Sequence, residues 1–196
     1  MIASQPAVFL DRDGVLVEER DVIVGEAGLR ILPGVPEALS RLHDAGLFLI
    51  VVTNQPIVAR GLASEGDVAR VHRSLDERLQ REGGPAITAW LFCPHHPHAT
   101  LAAYRQVCGC RKPRPGMLHD AARAHGIDTA ASILVGDRLT DIEAGRHAGC
   151  RTVQVLSGAH DAPRILTIDP AIVDLAPDAV VPGLPEAADW ILANLR

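Results

Sequence analysis

Residues Leu47–Thr53 read LFLIVVT, an apolar run with no polar side chain until its closing threonine. A strand with one wet face alternates apolar and polar residues. An unbroken run implies burial on both faces, the condition of a strand inside a parallel sheet covered by helices. The same theme recurs along the chain. Ala7–Leu10, Ile87–Phe92, Ser132–Val135 and Thr152–Val155 are further short apolar runs, and Asp178–Val181 is a briefer candidate. Between them lie stretches of helical period at Val35–Asp44, Ser64–Arg81, Pro115–His125, Thr140–Ala148 and Leu184–Leu195. Ser64 suits an N-cap, Gly83-Gly84 ends its helix, and Pro115 and Gly126 bracket the next one. This alternation predicts an α/β protein with a doubly wound parallel sheet and right-handed crossovers. No internal repeat interrupts it, so residues 1–196 read as a single domain.

Composition narrows the classes. With 47% hydrophobic and 22% charged residues the chain has the balance of a soluble globular protein. No apolar run approaches the ~20 residues of a membrane span. Met1–Leu10 lacks the charged-then-apolar pattern of a signal peptide, so no membrane partner and a cytoplasmic location are expected. A net charge of −5 argues against nucleic acid as a partner. A monomer is expected. The basic residues are lopsided: 18 of 19 are Arg, and Lys112 is the single lysine. That imbalance suggests a task at residue 112 that arginine performs poorly.

In an open parallel sheet, chemistry gathers at the carboxyl ends of the strands. The first strand runs into Asp11-Arg12-Asp13-Gly14, the second into Thr53-Asn54-Gln55, and the fourth into Gly136-Asp137. Together with Lys112 these residues suit phosphoryl transfer. A carboxylate can attack phosphorus, and a second one two residues later can protonate the leaving oxygen. A third, from another strand, can join the first in holding Mg²⁺, a hard cation that prefers oxygen ligands. Thr and Asn at a strand exit can hydrogen-bond phosphate oxygens, and a lysine can neutralise charge developing on the transferred group. Each piece alone has an ordinary explanation: Asp-x-Asp-Gly as a turn, Asp137 and Asp141 as a cap and a solvated helix acid. Their coincidence at strand exits favours the chemical reading.

Four cysteines occur, and three of them, Cys93, Cys108 and Cys110, share an irregular segment with His95. Three thiolates and an imidazole match a closed tetrahedral structural Zn²⁺ site, and loop 93–110 is expected to be folded by that metal. His96 and His98 compete with His95 for the fourth place. Cys150 stands apart as a buried residue, and the cysteine usage favours a reducing compartment.

The motifs FLDRDG, TNQ, Lys112 and Gly136-Asp137 resemble those of the haloacid dehalogenase superfamily of phosphatases. CPHHP…QVCGCRKPRPGML narrows the resemblance to the zinc-loop subfamily of D-glycero-D-manno-heptose-1,7-bisphosphate 7-phosphatases and histidinol-phosphate phosphatases, and AADWIL is also similar. The resemblance implies a domain without a large cap, with Asp11 as nucleophile and Asp13 as general acid/base. It implies Mg²⁺ held by Asp11, the Asp13 carbonyl and Asp137, and Zn²⁺ held by Cys93, His95, Cys108 and Cys110. Thr53 and Lys112 would stabilise the phosphoryl group, with Asn54, Gln55, Arg60 and Arg111 toward the substrate, a small phosphorylated sugar. Two departures fall where substrate is expected: Pro56-Ile57 in place of Ser-Gly, and Asp21-Val22 in place of Gly-Tyr.

The reading is therefore a Mg²⁺-dependent heptose-bisphosphate 7-phosphatase working through an aspartyl-phosphate. Histidinol phosphate or another small phosphomonoester is the alternative substrate. A phosphoacceptor receiver-type signalling module is the alternative of another class, disfavoured by the Asp13 spacing and the zinc loop. A zinc-organised binding protein without turnover is the third.

Overall fold

The computed structural model describes residues 5–19, 28–158 and 176–195. The Asp21-Val22 departure lies outside these residues. LFLIVVT forms an interior strand: β2 (Phe48–Asn54) lies between β1 (Ala7–Leu10) and β3 (Ala89–Cys93). On the other side of β1 follow β4 (Ile133–Gly136), β5 (Arg151–Val155) and β6 (Ala179–Val181). The order is β3-β2-β1-β4-β5-β6, and neighbouring strands pair in parallel. The chain builds outward from β1 in one direction, then returns and builds in the other. The loops leaving β1 and β4 therefore diverge and open a crevice at the carboxyl ends of those strands.

The absence of alternation in the strands follows from the two layers of helix. Val8 and Leu10 face a core shared with α1 (Val35–Asp44), α2 (Glu65–Arg81) and α5 (Leu184–Ala193). Ala7 and Phe9 face the opposite core, where Met117, Leu118 and Ala121 of α3 (Gly116–His125) and Ala144 of α4 (Leu139–His147) pack. Successive side chains point to opposite faces, so a strand covered on both must be apolar throughout. Local signals set the helix ends. Ser64 Oγ accepts from the Asp67 N–H at 3.1 Å while Asp67 Oδ2 accepts from the Ser64 N–H at 2.8 Å, a reciprocal cap that starts α2. Gly126 (φ 66°) closes α3 in a left-handed conformation. Among the described residues no helix is long and apolar enough to cross a membrane.

Candidate active site

Asp11 is the first residue past β1, and its N–H still donates to Val135 O at 3.0 Å, which holds it against β4. The β4 exit supplies Asp137, and the first turn of α4 supplies Asp141, whose Oδ2 accepts from the Arg138 N–H at 3.0 Å. Gly136 is required there, because a Cβ would overlap the Asp141 side chain. The lone lysine enters this space from the far end of the cysteine loop. Lys112 Nζ lies 3.0 Å from Asp11 Oδ1 and 2.5 Å from Asp141 Oδ1, and donates to Val52 O at 2.8 Å. Its backbone is fixed from β2: Asn54 Nδ2 donates to Lys112 O and Asn54 Oδ1 accepts from the Lys112 N–H, both at 3.1 Å.

Carboxylate oxygens of Asp11, Asp137 and Asp141 lie within 4.8 Å of one another, and all three residues are buried. Three acids against one ammonium leave an excess of negative charge, which shifts the proton affinities of the group. Burial, then the charges of Asp141 and Asp13, outweigh Lys112 and push Asp11 up to about 6. Burial, helped by Asp11 and Asp141, pushes Asp137 up to about 7. Burial alone would lower Lys112, but Asp11 and Asp141 hold it up at about 12. Among the described residues, neither Asp137 oxygen has a hydrogen-bond partner, although both are buried. Orphaned hard oxygens in a cluster with unbalanced negative charge fit a divalent cation such as Mg²⁺. Asp141, for which a solvated helix acid is the ordinary explanation and to which the sequence assigns no role in the site, is buried in this cluster.

Asp13 stands outside that cluster. Arg12 Nε and Nη2 donate to its Oδ1 and Oδ2 at 3.0 and 2.8 Å, and Gln55 Nε2 donates to Oδ2 at 2.9 Å. Gln55 Nε2 also reaches Thr53 Oγ1 at 3.0 Å. The Asp13 side chain is 22% exposed, against 11% for Asp11 and 1% for Asp141, so it is the most solvent-accessible of these acids.

The cysteine loop converges as expected. Cys110 Sγ lies 3.2 Å from the Sγ atoms of both Cys93 and Cys108, and 3.4 Å from His95 Nδ1. All four cysteines are free. Tetrahedral Zn²⁺ with ~2.3 Å bonds to sulfur sets ligand atoms roughly 3.7 Å apart, so a small expansion of this cluster accommodates the ion. His95 is the imidazole in the group, whereas His96 Nδ1 accepts from the His98 N–H. Arg111 Nη1 donates to His95 O at 3.1 Å, tying the half-buried guanidinium to the loop. Arg60 is exposed nearby, and its charge helps lower Arg111 after burial has done so. Ile57, one of the two substitutions expected at the substrate, is buried instead against Val58 and Val68 in a satellite core under the loop after β2.

Strand order, the acids at two adjacent strand exits and the buried lysine define a HAD-like hydrolase. A HAD-hydrolase-like family model matches residues 109–187. A crystal structure of D,D-heptose 1,7-bisphosphate phosphatase from B. bronchiseptica, complexed with magnesium and phosphate, superposes with a TM-score of 0.79 at 32% identity, covering 96% of this chain and 99% of that one. The D-glycero-D-manno-heptose-1,7-bisphosphate 7-phosphatase of Thermosynechococcus vestitus is 39% identical over 97% of both chains. The D-glycero-beta-D-manno-heptose-1,7-bisphosphate 7-phosphatase of Escherichia coli K12 is 35% identical over all of this chain and 92% of its own. The chain belongs to the heptose-bisphosphate phosphatase family of HAD-like hydrolases and is a phosphomonoester hydrolase.

Proposed function

We propose that this hydrolase removes the 7-phosphate of D-glycero-D-manno-heptose 1,7-bisphosphate through an aspartyl-phosphate intermediate and depends on Mg²⁺. The observation that carries the chemistry is the Lys112 ammonium set between Asp11 and Asp141 beside an Asp137 carboxylate that has no hydrogen-bond partner among the described residues. An Asp11 carboxylate oxygen attacks phosphorus, the bond from phosphorus to the sugar oxygen breaks, and Asp13 gives that oxygen its proton. Water then attacks the aspartyl phosphate, Asp13 takes the water's proton, and phosphate leaves with Asp11 restored. Lys112 and the Thr53 hydroxyl stabilise the charge on the transferring group. Asp11, Asp137 and the Asp13 carbonyl would hold Mg²⁺, with Asp141 beside them, and the bound cation supplies charge neutralisation of the phosphoryl oxygens.

Arg111 and Arg60 suit the phosphate that stays on the sugar, since guanidinium binds phosphate through two parallel hydrogen bonds. Asn54 and Gln55, expected to touch substrate, support the site from behind in this reading, because their amides are engaged with Lys112 and with Asp13 and Thr53. Zn²⁺ on Cys93, His95, Cys108 and Cys110 is structural, ordering the segment that delivers Arg111 and Lys112. The substrate is supported by the relatives named above. A phosphate-release assay over heptose bisphosphate, histidinol phosphate and other sugar phosphates, with and without Mg²⁺, tests the reading. Preferred turnover of heptose 1,7-bisphosphate, lost on chelation, is expected; hydrolysis of histidinol phosphate at an equal or higher rate would refute the substrate.

A further inference from the structure

Arg12 lies between the two carboxylates of the first strand exit and is bound to both. Its backbone N–H donates to Asp11 Oδ1 at 2.7 Å, and its guanidinium grips Asp13 through both carboxylate oxygens. An arginine in an exposed loop would be free to leave such a grip, but the Arg12 side chain is only 3% exposed. The third edge of its fork, Nη1, points at His72 Nε2 of α2, 3.4 Å away. His72 is itself buried, stacked on Trp90 of β3 with ring centroids 4.9 Å apart and set edge-on to Phe92. Burial and then the Arg12 charge hold its imidazole down to about 3, so it is neutral and free to accept from a guanidinium that can only donate. A ring walled in by two aromatics thus fixes the guanidinium, and the guanidinium fixes Asp13.

We infer that Arg12, braced by His72, is a positioning residue that holds the Asp13 carboxylate at the angle needed to protonate the leaving oxygen. The inference rests on the acid/base role proposed above for Asp13. The aromatic wall separates this from a plain ion pair. A half-exposed pair between adjacent residues would exchange rotamers freely and contribute little. Here the fork has one seat, and a lysine offers a single point charge where three directed N–H groups are in use.

The test compares kcat/KM for the sugar bisphosphate with kcat/KM for p-nitrophenyl phosphate, whose leaving group departs without needing a proton. This ratio of constants reports steps up to leaving-group departure, so the later hydrolysis of the aspartyl phosphate does not enter. For Arg12→Lys a loss on the order of 10- to 100-fold on the sugar phosphate is expected, against less than about threefold on the aryl phosphate, within the range general acid catalysis supplies. A residue that only maintains the fold would lower both alike. His72→Phe keeps a ring on Trp90 but offers Arg12 no acceptor; it should show the same selective loss to a smaller degree, and it decides the matter if Arg12→Lys fails to fold. Asp13→Asn is the control. Equal losses on both substrates in Asp13→Asn would overturn the acid role itself. A selective loss in Asp13→Asn with equal losses in the Arg12 and His72 variants would overturn the positioning role alone.

Discussion

His72 makes folding stability depend on pH in a way that one substitution isolates. Its imidazole is held at about 3 in the folded protein against an ordinary 6.5. Between those values the unfolded chain binds a proton that the folded one refuses, so stability falls as pH drops below 6.5 and levels off near 3. At pH 5 the folded imidazole is still neutral, so the size of the loss is set by the unfolded value. Protonation of the unfolded chain then lowers stability by about 2 kcal/mol relative to pH 7. His72→Phe removes the titrating group. It also strands the Arg12 Nη1 donor, which lowers stability by about 1–3 kcal/mol at every pH, an offset that does not change the slope. Urea unfolding of both proteins at pH 7, 6 and 5 is the assay, with the difference between them as the readout. Carboxylates common to both proteins cancel in that difference. The gap between wild type and variant should narrow by about 2 kcal/mol from pH 7 to pH 5. Parallel pH dependences would show that His72 is readily protonated in the folded state, and the neutral brace under Arg12 would fall with it.

Other outcomes follow from the same geometry. Lys112→Arg should lower kcat on the order of 100-fold or more with little change in fold, because the space between Asp11, Asp141 and Val52 O admits an ammonium and excludes a planar fork; near-normal turnover would show the lone lysine to be incidental. Gly158→Ala places a Cβ against Asp137 Oδ2 and 2.8 Å from its Cγ, and should raise the Mg²⁺ concentration needed for half-maximal activity by tenfold or so; an unchanged Mg²⁺ titration would argue against Asp137 as a ligand. Cys108→Ser should lose the bound zinc, by metal analysis, together with several degrees of Tm and most activity, since the loop that carries Lys112 depends on it for order.

How much was legible in advance divides along sequence distance. The strands and helices could be read nearly to their ends, because apolar runs, the Ser64 cap and Gly126 act within a few residues. The strand exits carrying Asp11, Thr53 and Asp137 followed from that reading, while the convergence of Cys93, His95, Cys108 and Cys110 followed from their ligand types within one irregular segment. Asp141 has no assigned role in the sequence reading, since nothing local distinguishes a helix-start acid in water from one buried against a lysine. Asn54 and Gln55 were expected to face substrate because residue type shows hydrogen-bonding capacity and not its direction. Ile57 was expected at the substrate and lies in a small core. The Arg12–His72 contact spans sixty positions and the Asn54–Lys112 contact fifty-eight, so no local pattern announces either.

The sequence by itself determined the alternation and the residue types available at the crevice, including a single lysine among eighteen arginines. Tertiary structure decided which of those groups lose water and which partners they meet. That choice sets the chemistry, because burial and a neighbouring charge raise Asp11 and Asp137 and silence His72, and neither acts until distant segments are brought into contact.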